Sequence, residues 1–194
     1  MKEKTRCVWP GNDLLMIRYH DEEWGVPIKD DKKIFEFLVL ESAQAGLSWR
    51  TILYRRNGYK RAFANFNPKK ISKFTKKDVN KLLKNIGIIR NKLKIESTIN
   101  NAKRFLEVQR EFGSFSKYMW GFVKGKQIDG KRKTLKDLPA ITKEAEDFSK
   151  DLKKRGFKFL GPTVVYAHMQ AVGMVNDHTA NCFCYTRCKK TTKQ

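Results

Sequence analysis

Two sets of residues in this 194-residue chain have types and spacing that could do chemistry. The first is a carboxylate among aromatic rings. Glu41 stands three positions after Leu38 and seven after Ile34, on the apolar stripe of the segment IFEFLVLESAQA (34–45). Burying a carboxylate without compensation costs on the order of several kcal/mol, so it must be paired, protonated or used. Trp9, Tyr19, Trp24 and Trp49 fall within the same 49 residues. Flat faces that stack, beside a carboxylate that rewards an N–H or a positive charge, suit a planar heterocycle with an exocyclic amine. The competing reading is that the rings are core and that Glu41 caps or pairs locally.

The second set is made of thiols and imidazoles. Cys7 stands alone near the start, and Cys182, Cys184 and Cys188 cluster near the end. His20 follows Cys7 by thirteen positions, and His178 precedes Cys182 by four, the spacing that puts two ligands on one helical face. Cys2His2 is a common structural zinc set, and here it would tie the first 20 residues to the last 20. Cys184 or Cys188 in place of a histidine is the alternative set, and ordinary buried thiols with satisfied histidines are the bland one. His168 lies in a separate apolar helix and is read as packed or solvated.

The elements that must position these groups are helical almost throughout. Asn12 or Asp13 can cap a helix toward His20, Asp30 or Asp31 a buried one through about Ala45, and Ser48 the next. Asn67-Pro68 is an N-cap with proline at the first helical position, and Thr75 with Asp78 makes a capping box. Gly87 reads as the end of that helix. A long amphipathic stretch carries Leu93, Ile95, Ile99, Ala102, Phe105 and Leu106, and further helices are expected near 114–123, 145–154 and 163–174. Residues 124–136 read as an exposed loop. No strand alternation persists and no repeat shows, so an all-α fold is predicted.

Charge points to the partner. The chain carries 42 Lys plus Arg against 20 Asp plus Glu, a net +22 that favours a polyanion. Residues 1–49 are net −2, residues 50–104 net +15 and residues 105–194 net +9. No run of 18 apolar residues and no apolar leader occur, so a soluble cytoplasmic protein without a membrane partner is expected. The turn IGIIRN (86–91) sits in the basic third with Lys84, Arg90, Lys92 and Lys94 around it. A glycine between two helices lets backbone approach a phosphate, and the N–H groups opening the second helix point at it. An ordinary glycine helix stop is the alternative.

The segments YHDEEWGVP (19–27), LESAQAGLSW (40–49), GIIRN (87–91), KKRGFKFLG (153–161) and MQAVGMVNDH (169–178) together resemble those of the bacterial DNA-3-methyladenine glycosylase I family. The resemblance implies the helix-hairpin-helix glycosylase fold, with two helical lobes around one cleft in a single domain over residues 1–186. A basic lobe at about 50–110 would carry the hairpin, and 6–49 with 140–186 would build the pocket. It implies one structural zinc on Cys7, His20, His178 and Cys182, and hydrolytic release of 3-methyladenine from double-stranded alkylated DNA by a monomer. Glu41 would face the amine and N7 edge of the flipped base, Tyr19 and Trp49 would sandwich it, and Trp9 and Trp24 would complete the wall. Gly46 and Leu47 match the wedge into the duplex, and Gly87, Ile88, Ile89 and Arg90 would hold the flanking phosphates.

Several departures shape the expectation. No aspartate follows Gly87 until Asp129, and no lysine is placed as a Schiff-base nucleophile, so excision without strand cleavage is predicted. The spacing of Cys182, Cys184 and Cys188 does not suit an iron–sulfur cluster. Met16 stands where familiar members carry an aromatic residue of the base pocket. Residues 187–194 read as a disordered basic tail, and 153–158 as a second DNA contact. The alternative function is a non-catalytic zinc-stabilised DNA-binding module.

Overall fold

The computed structural model describes residues 4–191. Helix α1 (Leu14–Glu22) begins where the Asp13 carboxylate accepts the N–H groups of Leu15 and Met16. Helix α2 (Asp31–Gln44) is capped by Asp30, and helix α3 (Trp49–Ala62) by Ser48. The short α4 (Pro68–Ile71) starts at Asn67, and α5 (Lys76–Leu83) at the Thr75–Asp78 box. Helix α6 (Lys92–Phe112) is capped by Asn91. Four more follow: α7 (Phe115–Gly121), α8 (Lys143–Lys154), α9 (Pro162–Ala171) and α10 (Phe183–Thr191).

Helix α2 is the axis of the molecule. Its residues Ile34, Phe35, Phe37, Leu38, Val39 and Leu40 are buried all round, because α3, α6, α7 and α9 pack on it from different sides. Asp31 also accepts the N–H groups of Phe115 and Ser116, at 2.8 and 2.7 Å, so the first turn of α2 caps α7 as well. One group of helices, α3 to α6, carries the basic third of the chain, and α9 packs on α2 with α8 against it.

Three expectations need correcting and one needs refining. The fold is mostly helical rather than all-α: Ile128–Asp129 pairs in parallel with Val175–Asn176. Residues 124–136 are mostly exposed, as expected, but this pairing pins them as a strap across the molecule; Arg132 O accepts from Ala180 N, and Arg132 bridges to Thr179. Helix α5 stops at Leu83, before Gly87, because Asn85 accepts the Gly87 N–H at 2.8 Å and turns the chain there. The tail is helical through Thr191, held by buried Cys188 and by Lys189 on Asp129; residues 192–194 lie outside those described.

Two glycines are required by close approach. A Cβ on Gly173, whose φ is +70°, would meet Val26 and Pro27 backbone at 2.3–2.4 Å. A Cβ on Gly58 would stand 2.0 Å from the Gly87 carbonyl oxygen, so α3 seats the turn between α5 and α6 through a glycine pair.

Candidate active site

A cavity of about 240 Å³ opens beside α2, lined by Trp9, Tyr19, Trp24, Glu41, Gln44, Trp49, Leu135, Leu138, Ala167 and Gln170. Five of the six expected pocket residues meet here; Met16 packs against the core on α1 and does not line it. The wall is instead made by Leu135 at the end of the strap, Leu138 just beyond it, and Ala167 and Gln170 from α9. No periodic signal marked the strap, because long-range pairing with 175–176 is what lays it over the pocket.

Glu41 is 4 % exposed, and burial raises its pKa from 4.5 to about 8, with no neighbouring cation opposing the shift. At neutral pH the group is mostly a neutral carboxyl, with one O–H donor and one acceptor. Burial, then the Glu41 and Glu23 charges, hold the Tyr19 hydroxyl well above its ordinary value. Trp9 meets Trp24 edge-on at 5.0 Å and Tyr19 at 6.3 Å. Tyr19 and Trp49 are not a parallel clamp: their centroids lie 5.2 Å apart at 49°, so the two rings touch each other. A base between them requires Trp49, half-buried in the first turn of α3, to swing outward. The indole N–H groups of Trp9 and Trp49 are buried without a hydrogen-bond partner.

The turn after α2 places Gly46 at φ +76° and leaves Leu47 38 % exposed. Both line a second cavity of about 350 Å³ that shares Glu41, Gln44 and Ala167 with the first. Lys94, expected to face phosphate, instead donates to the carbonyls of Ala43 (2.9 Å) and Ala45 (2.7 Å), closing the C-terminus of α2. Partial burial lowers its pKa. In the 84–91 turn, Ile88 is buried and Arg90 exposed. The N–H of Gly87 is spent on Asn85 and that of Ile89 on the Tyr59 hydroxyl at 3.2 Å, so the expected backbone cradle is partly filled from within. In the first turn of α6 the Asn91 side chain takes the Lys94 N–H, which leaves the N–H groups of Lys92 and Leu93 for an anion. Of the 153–158 contact, Lys153, Lys154 and Lys158 are exposed, whereas Arg155 is held by Glu111 and Asp151.

Behind the cavity the four expected metal ligands converge. The ligand atoms of Cys7, His20, His178 and Cys182 lie within 4.8 Å of one another, and all four residues are buried. Cys182 Sγ is 3.6 Å from His20 Nε2 and from His178 Nδ1, and Cys7 Sγ is 3.6 Å from His178 Nδ1. A tetrahedral zinc with sulfur at about 2.3 Å and nitrogen at about 2.05 Å spaces adjacent S and N ligands by about 3.6 Å. The other ring nitrogens are anchored: His20 Nδ1 is 2.8 Å from Asp21, itself paired with Arg6, and His178 Nε2 is 3.0 Å from the Trp24 carbonyl. The Cys182 thiol is pushed toward thiolate, by hydrogen bonds from Cys184 and then Cys7. Cys184 lies on the far side, its Sγ 3.8 Å from the His20 and Asp21 carbonyls; with His20 and Asp21 it forms a second, overlapping group. His168 is packed, both ring nitrogens buried and unpartnered, and burial lowers its pKa to about 3.

The sequence profile of a family described as methyladenine glycosylase matches residues 9–185. The chain belongs to the methyladenine glycosylase family. Within this family it is 44 % identical over 180 residues to DNA-3-methyladenine glycosylase 1 of Escherichia coli K12, covering 93 % of this chain and 96 % of that relative. A Haemophilus influenzae DNA-3-methyladenine glycosylase is likewise 44 % identical over 182 residues, with 94 % and 98 % covered. A crystal structure of 3-methyladenine DNA glycosylase I superposes with a TM-score of 0.91 at 45 % identity, over 93 % of this chain and all of that one. The Staphylococcus aureus enzyme, whose structure describes 3-methyladenine recognition, superposes at 0.90 with 38 % identity, over 92 % and 95 %.

Proposed function

We propose that this protein excises 3-methyladenine from double-stranded DNA by hydrolysis of the N-glycosidic bond. The observation that carries the reading is the buried, partner-free Glu41 facing an aromatic cavity. Methylation at N3 makes the base cationic while it is still attached to the sugar. When the C1′–N9 bond breaks, its electron pair goes to the ring and the base leaves neutral; water supplies the new C1′–O bond and loses a proton. Little acid catalysis is required, so the protein's task is to select and hold the flipped base.

Glu41 suits the adenine edge. Its carbonyl oxygen accepts from the 6-amino group, and its O–H, retained at neutral pH, donates to N7. A cationic base lowers the Glu41 pKa and draws out the carboxylate, which then pairs with the charge. Tyr19 and Trp49 supply stacking once Trp49 moves, and Trp9 and Trp24 complete the wall. Leu47, on the Gly46 turn, fills the gap in the duplex, while Arg90 and the α6 first turn grip flanking phosphates in helix-hairpin-helix fashion. Among the described residues no lysine lines the cavity, which supports hydrolysis without a Schiff base.

Zinc is the metal that Cys7, His20, His178 and Cys182 would hold, on the fit of donor types and spacing. It would supply a structural tie between the two ends of the chain, next to Trp9 and Trp24. A non-catalytic DNA-binding module would have no use for a carboxyl without a partner in a ring-lined cavity. Release of free base from methylated DNA, followed by chromatography, tests the reading. The wild type should liberate 3-methyladenine without nicking the strand, and Glu41→Ala should lose release while keeping duplex binding. Full activity in Glu41→Ala would refute the assigned role.

A further inference from the structure

We propose that Gln170 determines specificity in the base pocket, its amide oxygen turned to the base because Asp177 holds the other end. Asp177 is 1 % exposed and its acceptors are committed. Its Oδ1 takes Arg132 Nε at 2.8 Å, and its Oδ2 takes both the Tyr166 hydroxyl and Gln170 Nε2, the latter at 2.7 Å. An aspartate ion-paired with arginine accepts hydrogen bonds and donates none. The reversed amide would set oxygen against oxygen, so Gln170 must give its NH2 to Asp177. What remains for the cavity that Gln170 lines is Oε1, with the second N–H beside it, and the two ends of the amide cannot exchange places.

The contrast with the other polar groups of the cavity sharpens the assignment. Gln44, the second amide, has no side-chain hydrogen bond among the described residues and can present either end. Glu41 offers both a donor and an acceptor while neutral. Gln170 is thus an amide of fixed sense, its oxygen unable to trade places with its nitrogen. An acceptor fixed in a desolvated pocket rewards a 6-amino purine, which brings N–H, and opposes a 6-oxo purine, which brings a carbonyl oxygen to the same edge. Arg132 joins this network from the strap that covers the pocket, so the strap's closure and the sense of the amide share one anchor.

The inference rests on the glycosylase reading above, and the experiment separates the two. Release of 3-methyladenine and 3-methylguanine from the same dimethyl sulfate-treated duplex is followed under single-turnover conditions for wild type, Gln170→Met, Gln170→Glu and Asp177→Asn. Gln170→Met should slow 3-methyladenine release by about tenfold to a hundredfold, the value of one buried hydrogen bond, while 3-methylguanine release changes far less. Gln170→Glu sets a carboxylate oxygen against Asp177 Oδ2, so the anchoring is lost and the ratio should narrow as well. Asp177→Asn should narrow the ratio with Gln170 intact, its melting curve showing whether the neighbouring His178 region stays folded. Equal loss for both bases, or an unchanged ratio in an active Gln170→Met protein, overturns the proposal. A wild type that releases no 3-methyladenine overturns the functional reading instead.

Discussion

Replacing Glu41 with glutamine should make the protein more stable, by an amount that depends on pH. The carboxyl titrates at 4.5 unfolded and near 8 folded, so between these values the folded chain binds more protons than the unfolded one. Stability contributed by this group therefore falls as pH rises from 4.5 to 8. Integrating, the cost is under about 1 kcal/mol at pH 5, about 3 at pH 7 and about 4 at pH 8. Glutamine has nearly the same shape and no proton to lose, so the variant should escape the cost. For a domain of this size, about 3 kcal/mol corresponds to a Tm higher by about 6 to 12 °C at pH 7. Thermal and urea melts of both proteins across pH 5 to 8 measure the difference directly, because every other titrating group is common to the pair. The gain should widen with pH, and the stabilised variant should excise poorly, a trade of stability for function. Parallel stability curves would refute the argument that Glu41 is an uncompensated buried acid.

Two further perturbations test the frame around the site. Chelation, or Cys182→Ser, should lower the Tm by several degrees, and elemental analysis should find about one zinc per chain; an unchanged melt with no bound zinc would sink the metal tie. Gly58→Ala places a methyl 2.0 Å from the Gly87 carbonyl, so it should cost more than about 2 kcal/mol and weaken duplex binding, whereas Gly121→Ala, whose Cβ meets nothing within 4 Å, should leave duplex binding unchanged.

Local signals carried most of the helical frame. Asp13, Asp30, Ser48, Asn67 and Thr75 each cap within three residues of themselves, so the starts of α1 to α5 were legible without tertiary information. Glu41 was legible because a charged residue interrupts an otherwise apolar stripe. Features made by distant segments were not. The strap over the pocket depends on pairing between residues 47 positions apart, and Leu135 and Leu138 look like any loop leucines. Gln170 is a polar residue in an apolar helix, with nothing local to say that Asp177 orients it. Gly58 looks like any glycine in a helix, and only the packing of α3 against the turn reveals its purpose. Lys94 was misread for the same reason: a basic residue beside a basic turn looks like a phosphate ligand until its reach to α2 is known.

That lysine has a consequence for how a lesion is found. Lys94 is rooted in the first turn of α6, immediately after the turn that would meet the backbone, and its ammonium ends on the last carbonyls of α2, one turn beyond Glu41. The interval between the place that would hold the strand and the place that would inspect the base is thereby spanned by a single side chain, as by a gauge of set length. A strand seated one nucleotide out of step would present its neighbouring base to the wall instead of the mouth. Register along the duplex, and not only the chemistry of the base, would then be part of what this protein measures.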